Sequence, residues 1–231
     1  MPRKSRIKEI RISFIAPSGE KTGELVLPVD IAKRQLNTKT WGEEEAIRRF
    51  AWYVARCDKK GIDAAYEVLK RLGCLSEALE ACAKGRRPNI QKLMALLSLW
   101  NTWGLWSIPR ALGDNLAQFT DLIRHFAPAY RGAPLKLYRG QSLARYEGGI
   151  FGIAWSGRVP IAEQFAGLRD APGVVLELDA SPEMIVARMG DFISTRKTDP
   201  ASGSEYEDEY LVDPRAITGR VRKLATILPT R

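Results

Sequence analysis

Three short stretches in the second half of the chain combine residue types that can handle charge. Leu137-Tyr138-Arg139-Gly140 puts an arginine at the end of a strand-like run. A guanidinium is permanently charged and offers its N–H groups as a fork, which suits an oxyanion. Ala154-Trp155-Ser156-Gly157-Arg158 places a hydroxyl just ahead of a helical segment, Ile161-Ala162-Glu163-Gln164-Phe165-Ala166. Glu205-Tyr206-Glu207-Asp208-Glu209 opens the apolar run Tyr210-Leu211-Val212, which Asp213-Pro214 closes. Residues i and i+2 of an extended segment face the same way, so Glu207 and Glu209 can line one cleft. Glu205 shares their parity and leaves a second frame, Glu205 with Glu207. The Glu207/Glu209 frame is favoured because Glu209 adjoins the apolar strand.

The elements that must hold these residues are legible in outline. Ile7 to Ile15 alternates apolar and polar, Pro17-Ser18-Gly19-Glu20 turns, and Glu24-Leu25-Val26-Leu27 resumes, which predicts a β-hairpin. A helix is expected from near Trp41, capped by Thr40, with Glu43, Glu44 and Glu45 in its first turn and Gly61 ending it. Ile47, Phe50, Val54 and Cys57 form its apolar stripe. Ala64 to Leu72, Ser76 to Ala83 and Asn89 to Leu99 continue at helical spacing. Asp114 is expected to cap a further helix carrying Leu116, Phe119, Leu122, Ile123 and Phe126. After Pro134 the texture turns to strands: Leu135 to Tyr138, Gly173 to Leu178, Met184 to Val186, Tyr210 to Val212 and Val221 to Leu228, with a short helix over Val159 to Leu168.

With 231 residues, the chain has room for one domain with an extension or for two small ones. A hydrophobic share of 45% and a charged share of 27% exclude wholesale disorder and a disulfide scaffold. No apolar run approaches the roughly 20 residues that span a bilayer, and the basic start leads into no apolar signal core. Cys57, Cys74 and Cys82 are odd in number and lie in helical sequence, which reads as reduced, buried thiols of a cytoplasmic protein with no metal site. The net charge of +9 gathers partly near the ends, and a solvated surface explains it as well as a nucleic-acid or acidic partner does. Trp100, Trp103 and Trp106, at spacing three, read first as helix-packing core and second as an aromatic ligand surface. His125 reads as a helix-end residue.

Strand-end arginine, hydroxyl-bearing strand with a following helix, and Glu-x-Glu opening a strand, in that order, resemble the Arg–Ser–Glu class of mono-ADP-ribosyltransferases. The resemblance runs from Leu135 to about Pro214 and leaves Met1 to Pro134 unexplained. With the hairpin and helices read above over residues 1–130, the expected fold is α+β, and the resemblance makes residues 131–231 a β-rich NAD-binding half. In that half two small sheets would pack across each other, with NAD in the cleft between them. NAD would be the substrate, with no metal. Arg139 would hold its diphosphate, Gly140 would lie beside the nicotinamide, and Trp155 would flank that pocket or else be core. Glu209 would be the catalytic glutamate. Glu207 would serve as base for the acceptor, because Glu-x-Glu accompanies transfer to arginine. The family's middle motif begins with serine; here Ala154 stands first and Ser156 third, so Ser156 would take over the hydrogen bond to Glu209.

The function so implied is transfer of ADP-ribose from NAD to a macromolecule, with an arginine of an intracellular protein as the expected acceptor. That target could lie in the same cytoplasm or in a host's, since proteins of this class act as bacterial toxins or phage proteins. Water as acceptor would make the chain an NAD glycohydrolase. The second reading is a non-catalytic module on the same fold that binds protein or nucleic acid through its basic surface. The third is a scaffold whose Glu-rich segment is a solvated loop.

Overall fold

Helical periodicity governs the chain between the N-terminal hairpin and Pro134, and strand periodicity governs the remainder. In a computed structural model, residues 41–84, 89–104, 106–168, 171–192 and 208–228 are described, together with the backbone of strands at 9–15 and 21–28. Strands β1 (Glu9–Ile15) and β2 (Lys21–Pro28) form the expected antiparallel hairpin, in register from Glu9↔Pro28 to Ile15↔Lys21. Six helices come next: α1 (Glu43–Arg56), α2 (Lys59–Leu72), α3 (Leu75–Ala83), α4 (Ile90–Trp103), α5 (Ser107–Ala111) and α6 (Ala117–Phe126).

Among the helix boundaries that differ from the sequence reading, two have a clear local reason. Helix α1 starts at Glu43 with Gly42 as N-cap, so Trp41 stands outside it; Thr40 lies outside the described residues. It stops at Arg56 because Cys57 turns left-handed (φ 55°), and Asp58 then caps α2 by accepting the Gly61 N–H at 3.1 Å. Gly61 therefore ends nothing. It sits inside α2, where a Cβ would collide with the Tyr53 ring of α1, so the missing side chain brings the two helices close. Asp114 does not cap α6 either; Leu116 is its N-cap. Gly113 and Asp114 both adopt positive φ (57° and 63°), a conformation that a short polar side chain tolerates. The Asp114 carboxylate instead accepts from Arg145 Nη2 at 2.8 Å.

The second half supplies β3 (Leu135–Ser142), α7 (Leu143–Glu147), β4 (Ala154–Ser156), α8 (Val159–Ala166), β5 (Gly173–Ala180), β6 (Ile185–Arg188), β7 (Glu209–Val212), α9 (Pro214–Ile217) and β8 (Val221–Ile227). The fold is α+β, with nine helices among the described residues and one open antiparallel sheet in the order β6-β7-β4-β3-β5-β8. The two separate sheets expected from the resemblance are here one sheet with a narrow waist. Strands β3 and β5 share eight register pairs, whereas β3 and β4 share one, Tyr138↔Ser156.

Alternation along the strands gives the sheet two unlike faces. On one, Leu137, Trp155, Leu176, Leu178, Tyr210 and Val212 build a core of their own. On the other, Leu211 and its partner Ala187 join Ile153 and Val186 in the core of the helices, so one apolar cluster spans the helical block and the sheet. Helix α8 covers the rest of that face, its Ala162 and Ala166 against Val175. No described helix is long and apolar enough to cross a membrane. The three cysteines are free thiols; burial pushes Cys82 up to about 12, which keeps it protonated.

Candidate functional site

The sheet's waist brings the three separated sequence fragments together. Tyr138 pairs with Ser156 across β3 and β4, and Ser156 pairs with Glu209 across β4 and β7. These three side chains therefore stand in a row on one face, at neighbouring positions of one ladder. That face opens into a cavity of about 710 Å³ between the end of α4 and helix α8, lined by Tyr138, Arg139, Ser156 and Glu209 among others. Its apolar wall includes Ile161 and Phe165 of α8 and Pro109 of α5. Ligand pockets commonly combine such a wall with a few convergent polar groups.

Arg139 has the opposite parity to Tyr138, yet it reaches the same cavity. Beyond the single Tyr138↔Ser156 pair no further register pair joins β3 to β4, and the guanidinium bridges between the strands. Its Nη1 donates to the Ala154 carbonyl and its Nε to Gln141 Oε1 at 3.1 Å, while Gln141 Nε2 donates to the Ile150 carbonyl at 3.0 Å. A Cβ on Gly152 would collide with this guanidinium, so glycine there gives it space. Burial, and then the nearby Arg145, draw Arg139 down to about 10, with Glu209 acting the other way. At neutral pH it remains a cation.

Glu209 is tied to a residue that the motif reading did not include. Trp100 Nε1 donates to Glu209 Oε1 at 3.0 Å, across 109 residues of sequence. Trp100 is 5% exposed, and the one general signal for such a contact is that a buried indole needs a partner for its N–H. The tryptophans at spacing three thus divide. Trp103 packs among the helices, its Nε1 donating to Asp63 at 3.0 Å; Trp100 is buried in the helical core and also lines the cavity, and Trp106, 49% exposed, lines it too.

The other expected site residues divide between the cavity and the core. Ser156 is buried beside Glu209, and its Oγ accepts from the Arg158 N–H at 3.0 Å at the start of α8. Gly140 lines the cavity, but what requires its missing side chain is α8: a Cβ there would collide with the Ala162 carbonyl oxygen. Gly173 meets Ala166 in the same way, so two glycines let the helix lie against the sheet. Trp155 is 1% exposed, its side chain in the core of the opposite face and its Nε1 donating to the Gly152 carbonyl at 3.1 Å. Trp155 thus contributes to that core and also counts among the residues lining the cavity. Glu207 and Glu205 lie outside the described residues. Of the C-terminal cations, Arg215 pairs with Asp213 and Asp121, and Arg222 with Glu177 and Asp179.

Comparison of the chain with protein-family models, with curated proteins and with solved structures gives no match. The cavity must therefore be read from its own residues.

Proposed function

We propose that this chain is a mono-ADP-ribosyltransferase that uses NAD as substrate at the waist of its sheet. The observation that carries the reading is convergence: Arg139, Ser156 and Glu209, drawn from three distant fragments, line one cavity. Breaking the nicotinamide–ribose bond leaves the electron pair on nicotinamide and positive charge on the ribose, as in oxocarbenium-like glycoside chemistry. A fixed carboxylate at Glu209 stabilises that charge more in the transition state than in the ground state. A buried guanidinium at Arg139, cationic at neutral pH, suits the diphosphate. Glu-x-Glu favours an arginine acceptor, whose nitrogen would attack the ribose carbon while Glu207 takes its proton.

The second reading, a binding module without turnover, draws on two specific observations. Ala154 replaces the hydroxyl expected ahead of Ser156, and Arg139 already spends donors on Gln141 and Ala154. Labelled NAD added to a cell lysate with the pure protein separates the two. ADP-ribose found on arginine by mass spectrometry, and absent with Glu209→Gln, supports the transferase. No label on any macromolecule, together with capture of a partner by both forms, supports the module.

A further inference from the structure

The middle motif raises a question that the cavity answers: what orients Glu209 when Ala154 brings no hydroxyl? Ala154 sits two residues from Ser156 on the same face of β4, paired with Leu211. Ser156 is the direct cross-strand neighbour of Glu209; its oxygen accepts the Arg158 N–H that begins α8, which leaves its own O–H as a donor. A donor to the Glu209 carboxylate also comes from the helical block. It is the indole N–H of Trp100, 3.0 Å from Oε1.

That indole is held as a fixed donor would be. It lies in the last turn of α4, buried in the helical core, with its ring tilted against Phe119 of α6 at 5.3 Å between centroids. On its other side the chain passes so closely that a Cβ on Gly104 would collide with the ring, and the Gly104 N–H donates to the Trp100 carbonyl at 2.6 Å. An indole has one N–H, accepts nothing and does not titrate, so it can only donate, at every working pH. A donor to a carboxylate favours the ionised form and fixes the plane of the group, as stabilisation of a cation requires.

We propose that Trp100 is a positioning residue for Glu209, supplying from the helical block a donor in place of the hydroxyl that Ala154 lacks. This rests on the reading of the cavity as an NAD-cleaving site. It also gives residues 41–126 a task in catalysis, although the motif fragments all lie beyond residue 134.

The test removes the N–H and keeps the ring. Trp100→Phe is one variant. The second replaces Trp100 by benzothienylalanine, which keeps the bicyclic shape and puts sulfur where the N–H was. Nicotinamide release from NAD is measured for wild type and both variants, with thermal midpoints alongside. The expected result is a fall in kcat of about ten- to a hundredfold, the size of a lost hydrogen bond to a charged group, with KM within about twofold and the midpoint of the benzothienyl variant unchanged. In ¹⁵N-labelled protein the indole resonance absent from Trp100→Phe should move upfield in Glu209→Gln. Wild-type kcat in the benzothienyl variant would overturn the proposal, as would losses that track KM or the thermal midpoint instead of kcat. Absence of NAD cleavage in the wild type would overturn the functional reading, and the positioning role with it. In that case the indole resonance would still report whether Trp100 holds Glu209.

Discussion

The two halves of the sheet are built differently, and the candidate site straddles them. On one side of the waist β3, β5 and β8 form long ladders, with eight register pairs between β3 and β5 and six between β5 and β8. On the other side β4, β7 and β6 are short, with three pairs in each ladder. A short antiparallel ladder has little stability alone. The short half takes its support from outside the sheet: Leu211, Val186 and Ala187 are buried in the core of the helices. Arg139 is thus positioned by a sheet, whereas Ser156 and Glu209 are positioned by strands that lean on helices. The geometry between them depends on residues that carry none of the motif.

The largest expected effect comes from removing that support. Leu211 is fully buried in the helical core, so Leu211→Ala should cost about 2–5 kcal/mol in a urea titration. It should also abolish any activity that needs Glu209, two positions away. An unchanged midpoint would show that the short half stands without the helices. Next comes the long half, where Gly140→Ala would force the backbone of α8 to move. We expect a loss of up to about 3 kcal/mol, the usual range of overpacking. If Gly140→Ala proves neutral by the same titration, α8 is not held against β3 as described.

Acid should separate the halves further. Asp213, just after β7, caps α9 by accepting the Arg215 N–H at 3.0 Å and receives the Arg215 and Arg124 side chains. Burial pushes its carboxyl up, but the bonds and charge from Arg215, with Arg124, outweigh it and hold it below the usual value. A depressed folded pKa means stability that is present above the unfolded value of about 4 and is lost as pH falls through the folded one. Asp213→Asn should therefore lower stability at pH 7 by roughly 1.5–3 kcal/mol, the worth of hydrogen bonds to a charged group. The gap should close below pH 4. A pH-independent gap would assign the loss to packing. The smallest expected effect is Trp103→Phe, which removes the bond to Asp63 on the far side of the helical core. It should cost about 1 kcal/mol and leave NAD turnover alone. A fall in turnover to match Trp100→Phe would show that helix packing in general, not the indole at Glu209, governs the site.

Much of this architecture was open to a reader of the sequence, and the misses share a cause. Periodicity exposed the hairpin, the helices and the strands because burial of one face imposes its period locally. The fragments around Arg139, Ser156 and Glu209 were legible because each sits beside a recognisable strand. What escaped depends on a second element. Gly61 looked like a helix stop because its reason, the Tyr53 ring, belongs to the facing helix. Asp114 looked like a cap because its partner, Arg145, is 31 residues away. The waist of the sheet, with its single β3–β4 pair, depends on strand lengths that no local pattern encodes. Trp100 was legible as core but not as a partner of Glu209, since nothing in the spacing of a tryptophan names the acceptor of its N–H.

The central claim is that the cavity at the waist cleaves NAD with Glu209 beside the reacting bond. Nicotinamide release by the pure protein measures this directly, without any need to know the acceptor. The account predicts slow release by the wild type and loss of about a hundredfold or more in Glu209→Gln, the cost typical of removing one preorganised electrostatic group, with the fold intact by circular dichroism. Release at the wild-type rate by Glu209→Gln would contradict it, and so would the absence of release from a folded wild-type protein at saturating NAD.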